Sequence, residues 1–204
     1  MKWLTPVLPY LAVGIGVFWL QNALAALLGF HVAIVLSLLL ARSSVPLKVL
    51  FKSKNIRWVI LSVLVCGSSG ISLYFLWPYL GAIDDLPGQM ETFGLTRAGW
   101  PLFITYFVLV NPLIEEYFWR GYLGSLTSHL YPSDFFYAGF HGLILMNKVQ
   151  TGAVLYSLGV LVLAGWFWRQ LARVDEGLLA PVLGHMAADF TILMTIYQMS
   201  VRSV

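Results

Sequence analysis

A single cysteine, Cys66, stands among the 204 residues. That excludes an internal disulfide and a metal cluster built from cysteines alone. Charge is almost as scarce. Only 10% of the residues are Asp, Glu, Lys or Arg, where a soluble domain carries roughly a quarter. The net charge of +3 is small and scattered, so nothing marks nucleic acid as a partner. Internal repeats and low-complexity tracts are missing too. What remains is apolar: 59% hydrophobic residues and a mean hydropathy of +0.81. These values predict a single transmembrane domain over 1–204, with the lipid bilayer as its surroundings.

The run from Trp3 to Ala41 is about twice the 20 or so apolar residues that one span needs. It should therefore hold two helices and a tight turn, at Gln21-Asn22 or near Gly29-His31. The stretch "NALA" at 22–25 resembles a signal-cleavage site, but the apolar sequence runs on past it, which favours spans. Further runs cover 57–80, 100–128, 134–147, 152–172 and 178–200. The expected fold is all-α, a polytopic membrane helix bundle of about seven transmembrane helices. The fifth run is short and is expected to lie behind other helices rather than against lipid.

Charge bias orients the bundle. The loop 42–57 holds Arg42, Lys48, Lys52, Lys54 and Arg57 and no acid, so it is expected to be cytoplasmic. The loop 81–99 holds Asp84, Asp85 and Glu91 against Arg97 and suits the opposite side. Lys2 puts the N-terminus inside, and Arg169 and Arg173 put a 169–177 loop inside. Trp3, Trp58, Trp77 and Trp100 lie near span ends, as interfacial anchors would.

Against this background "NPLIEEYFWRG", at 111–121, carries three charges inside a span. Tyr137 and His141 follow in the fifth run, His185 and Asp189 in the seventh. Ionisable groups in a span cost at least a few kcal/mol and are functional candidates by default. Glu116 and Arg120 are i, i+4 with the carboxylate N-terminal, the spacing of a structural ion pair. Glu115 points about 100° away around the helix, so the same arginine does not readily neutralise both. His185 and Asp189 are also i, i+4, as are Tyr137 and His141, and each pair can converge on one point. With the fourth run ending near 127, Glu115 lies about 18 Å from that end, and His141 and His185 about 10 Å inside theirs. These depths let the groups meet in one cavity. Pro112 and Pro181 precede the key residues by three or four positions, where each would free backbone carbonyls or start a half-helix.

The order and spacing of these residues resemble the CAAX-protease and bacteriocin-processing (CPBP) family, also called Abi, which includes the type II CAAX prenyl endopeptidases. "EEYFWRG" resembles its Glu-Glu-x-x-x-Arg motif, "YAGFH" its Phe-x-x-x-His motif, and "GLLAPVLGHMAAD" its final His-x-x-x-Asn/Asp motif. The resemblance covers about residues 100–195 and implies a membrane-embedded endopeptidase acting on a peptide or protein substrate. Carried over by position, Glu115 and His141 would hold and activate the attacking water. His185 and Asp189 would stabilise the oxyanion. Glu116 and Arg120 would be the supporting pair. Two residues depart from the pattern. Tyr137 replaces Phe, and Asp189 stands where the prenyl-protease members have Asn. An ionised carboxylate cannot donate to an oxyanion, so Asp189 stays protonated, orients His185 or binds a metal. In the metal reading Glu115, His141, His185 and Asp189 would be the ligand set for Zn2+ or another divalent ion. The expected location is a bacterial cell inner membrane.

Two other classes use the same residues differently. "CGSSG" at 66–70 matches the Gly-x-Ser-Gly of rhomboid-type serine proteases, which would pair Ser69 with His185. A non-catalytic membrane scaffold, or a transporter coupled to protons or ions, would use the buried Glu, His and Asp without hydrolysis.

Overall fold

The computed structural model describes residues 2–80 and 85–202. Asp84, one of the acids assigned above to the 81–99 loop, lies outside them. Helix makes up 79% of the structure, and no strand occurs among the described residues. That follows from composition: in lipid an apolar segment must satisfy its own backbone, and a helix does so locally.

The elements are α1 (Val7–Gly14), α2 (Ala23–Leu40), α3 (Ile56–Gly67), α4 (Ser69–Leu76), α5 (Leu86–Thr92), α6 (Trp100–Glu116), α7 (Pro132–Leu145), α8 (Thr151–Asp175) and α9 (Leu179–Arg202). A π-helical turn, Ile15–Trp19, extends α1, and another, Tyr117–Tyr122, extends α6. The run 3–41 does split in two, and the turn falls at Gln21-Asn22. Gln21 takes a positive φ of 46°, and the Asn22 side chain accepts from Ala25 N to cap α2.

Among the described residues four segments are long and apolar enough to cross a membrane: Ala23–Leu40, Ile56–Tyr79, Thr151–Asp175 and Leu179–Val201. Leu36, Ile60, Ile71, Leu102, Leu155 and Phe190, one from each of six helices, are exposed. Apolar exposure on this scale is the outer face of a bundle that lipid surrounds.

Helix α9 is central and touches α3, α4, α5, α6 and α8. Glycines permit its closest approaches. A Cβ on Gly184 would collide with Ser62 Oγ of α3, and one on Gly70 would collide with the Thr191 carbonyl. The small residues of "CGSSG" thus serve helix packing.

Three expectations need correction. Helix α6 and its π turn end at Tyr122, not near 128. Arg169 is no loop residue: it lies inside α8, 1% exposed, with Nε and Nη2 on the two oxygens of Asp134 at 2.9 and 2.8 Å. Its remaining donors reach the Thr127 and His129 carbonyls, so it ties the α6–α7 connection to α8. Trp100 is 3% exposed and packs on Phe103 and Tyr197, so it is a core residue rather than an interfacial anchor.

Candidate active site

Glu115 and Glu116 close α6, 2% and 0% exposed. Pro112 lies inside the same helix and has no N–H for the carbonyl one turn back. The π turn that follows carries Arg120. Such widened turns are frequent where a helix must aim a functional side chain.

Glu116 is the hub. Its Oε1 accepts from His185 Nδ1 at 2.8 Å and faces Arg120 Nη1 at 3.1 Å. The Arg120 contact is ionic and not aligned as a hydrogen bond. The guanidinium is held instead between aromatic faces, 4.1 Å from the Tyr137 ring centre and 5.1 Å from that of Trp168. Trp168 also stacks on His185, with centroids 4.4 Å apart and planes 19° from parallel. His185 Nε2 lies 3.5 Å from Asp189 Oδ1. The imidazole therefore stands between two carboxyl groups, with its plane fixed by an indole.

His141, one turn after Tyr137 on α7, places Nδ1 3.0 Å from the Tyr137 carbonyl. A carbonyl only accepts, so Nδ1 carries the hydrogen and Nε2 keeps its lone pair. The Tyr137 ring lies 5.1 Å from His141 and 6.1 Å from His185. Glu115 is the unengaged acid. Its Oε2 is buried without a hydrogen-bond partner, while His185, Asp189, Glu116 and Arg120 all act on it electrostatically. Among the described residues Glu115 and His141 share no direct hydrogen bond. With the revised helix ends, Glu115 is about 10 Å from the end of the π turn after α6, and His141 and His185 are about 14 Å and 9 Å from the N-terminal ends of α7 and α9. The spread is narrower than the sequence-based depths.

The proposed metal set does not form. Among the described residues no three His, Cys, Asp or Glu side chains are grouped to hold an ion. Glu116 holds one nitrogen of His185, and the Tyr137 carbonyl holds one of His141. Each ring keeps its Nε2, as a metal-bound imidazole would, but as arranged Glu115, His141, His185 and Asp189 are not gathered round one point. The serine dyad also fails, because the ring nitrogens of His185 face Glu116 and Asp189 rather than Ser69.

Sequence reasoning missed four residues. Trp168 stacks on His185. Asn111 Nδ2 donates to Asp189 Oδ2 at 3.4 Å. His31 Nε2 meets Asn111 Oδ1, and His31 Nδ1 meets Tyr106 Oη, both at 3.0 Å. His31 carried a signal: it is an ionisable residue within an apolar run, the rule that selected the others. Trp168 gave none.

Residues 97–191 match the family model described as Type II CAAX prenyl endopeptidase Rce1-like. No curated protein and no solved structure matches the chain significantly. The matched family is a protease family acting at membranes. Together with the four long apolar helices, it indicates an integral membrane protein. Over 97–191, the stretch that holds Glu115, Glu116, Arg120, Tyr137, His141, His185 and Asp189, the chain carries the pattern of the Rce1-like type II CAAX prenyl endopeptidases, the family its motifs resemble.

Proposed function

We propose that the chain is an intramembrane endopeptidase that hydrolyses a peptide bond with a water activated by Glu115 and His141. The observation that carries this reading is the unequal pair of adjacent acids: Oε1 of Glu116 is engaged by His185 and Arg120, whereas among the described residues no side-chain hydrogen bond or ion pair engages the buried Glu115. A buried carboxylate with an unpartnered oxygen suits removal of a proton from water, and the His141 Nε2 lone pair would accept a hydrogen bond from that water. The proton then passes from Glu115 to the leaving amine. As an imidazolium between the carboxyl groups of Glu116 and Asp189, His185 donates Nδ1–H to Glu116 and has Nε2–H for the oxyanion. At 3.5 Å Asp189 is too distant to bind that hydrogen tightly, and it serves to orient the ring. Arg120 balances charge behind Glu116. No step is routed through a metal. A bacterial cell inner membrane is the proposed location.

The test uses purified full-length protein in lipid with prenylated and unprenylated peptides as substrates, and mass spectrometry to locate the cut. Glu115→Gln keeps the shape and removes the base. It should lower the rate by about 10²- to 10⁴-fold without moving the unfolding temperature. Undiminished cleavage by that variant would overturn the reading.

A further inference from the structure

We propose that His31 is a positioning residue for this site, acting from α2 through Asn111 to fix the carboxylate of Asp189. The proposal rests on the peptidase reading and extends it to a helix outside the family-matched stretch.

The polar groups form an unbroken line across three helices. Tyr106 Oη reaches His31 Nδ1 at 3.0 Å, His31 Nε2 reaches Asn111 Oδ1 at 3.0 Å, and Asn111 Nδ2 reaches Asp189 Oδ2 at 3.4 Å. The other oxygen of Asp189 faces His185. His31 is 4% exposed and Asn111 1%. A buried histidine and amide in an apolar helix bundle are costly unless each polar atom is satisfied, and these two satisfy each other.

The direction of donation gives the arrangement its use. An asparagine amide has two ends of nearly equal size, one donor and one acceptor. Reversed, Asn111 would turn its oxygen towards a carboxylate. His31 prevents this because its Nε2–H needs the Asn111 oxygen as acceptor. In this tautomer Nδ1 is the acceptor, and the Tyr106 hydroxyl 3.0 Å away is able to donate to it. The amide then has one orientation, with its NH2 on Asp189. That contact holds one carboxylate oxygen on α6 and leaves the other towards His185. His31 touches no reacting atom, and its effect passes through two side chains.

Three proteins separate this from a structural role. His31→Phe keeps the ring and removes the donor. It should lower kcat by about ten- to a hundredfold with KM little changed. His31→Gln can donate from its amide and should recover most of that loss. In an Asp189→Asn background His31→Phe should add no further loss, because the path it acts through is already cut. Additive losses, or a His31→Gln protein no better than His31→Phe, would overturn the proposal. Wild-type and Glu115→Gln rates are measured alongside and report on the peptidase reading by itself. A readout that needs no turnover decides the case if that reading fails. In the Glu115→Gln protein with 15N-labelled histidine, His31→Phe should shift the His185 Nε2 resonance, and His31→Gln should restore it. An unmoved resonance would also overturn the proposal.

Discussion

Oε1 of Glu116 is shared by His185 and Arg120, whereas among the described residues no side-chain hydrogen bond or ion pair engages its neighbour Glu115. Different roles should follow for residues adjacent in sequence. Arg120→Ala removes the guanidinium from between Tyr137 and Trp168 and leaves Glu116 with His185 alone. Breaking a buried pair costs about 3–5 kcal/mol, so this variant should unfold at clearly lower temperature in the same detergent. An unchanged unfolding temperature with lost cleavage would move Arg120 into the chemistry. Asp189 gives a second residue-scale expectation. Its neighbours are His185 and Asn111 rather than a ligand sphere, so a strong chelator should leave the wild-type rate unchanged. Asp189→Asn should respond to chelator no more than wild type. A chelator-sensitive rate restored by added Zn2+ would reinstate the metal.

At the scale of elements, a buried ion pair reinforces the packing of α7 on α8. Asp134 accepts from the backbone N of Tyr131 at the start of α7 and from two nitrogens of Arg169 on α8. Since α7 carries Tyr137 and His141, this ion pair sets where they stand relative to α9. Arg169→Met strands Asp134 and several loop carbonyls, and should destabilise by about 3–5 kcal/mol. The double variant with Asp134→Leu, in which both charges leave together, should recover part of that loss. If the double variant is as unstable as Arg169→Met, the loop carbonyls rather than the ion pair carry the effect. In the sequence Arg169 is one more cation near a span end, where charge bias alone places it in a loop. Only the long α8 shows it to be buried.

For the whole molecule, side and span number are open to direct measurement. Among the described residues each of the seven apolar runs holds a helix, with α3 and α4 counted as one and the short α5 lying between runs, and four segments meet length and hydropathy for crossing. The exposed cations Arg42, Lys48, Lys52, Lys54 and Arg57 should face the cytoplasm. A membrane-impermeant maleimide, used on right-side-out vesicles carrying Cys66→Ser, should spare a cysteine placed at Lys48 and label one placed at Glu91. The reverse pattern would invert the topology. One surface contact ties this face to α9: Lys54 Nζ meets Glu176 Oε1 at 2.7 Å, just before α9 begins. It holds the Glu176 carboxyl below its ordinary value and the Lys54 amine above its own, in each case through their mutual hydrogen bond. The small stability it adds is lost as pH falls through the depressed Glu176 value, and again as it rises through the raised Lys54 value.

The sequence by itself determined the membrane class, the helical fold, the acidic and histidine motifs and the i, i+4 contact of Glu116 with Arg120. All of these depend on composition or on residues one helical turn apart. It left the turn between α1 and α2 open between two places, and only the backbone at Gln21 decided it. It ran α6 on to about 128, because hydropathy does not mark where a π turn ends a helix. Tertiary structure alone decided that Glu116 holds His185, that Trp168 stacks on that ring, and that His31 and Asn111 reach Asp189. Those contacts join residues 69 to 80 positions apart, apart from the Trp168 stack. They exist because α2, α6, α8 and α9 pack side by side, a proximity that no local spacing encodes.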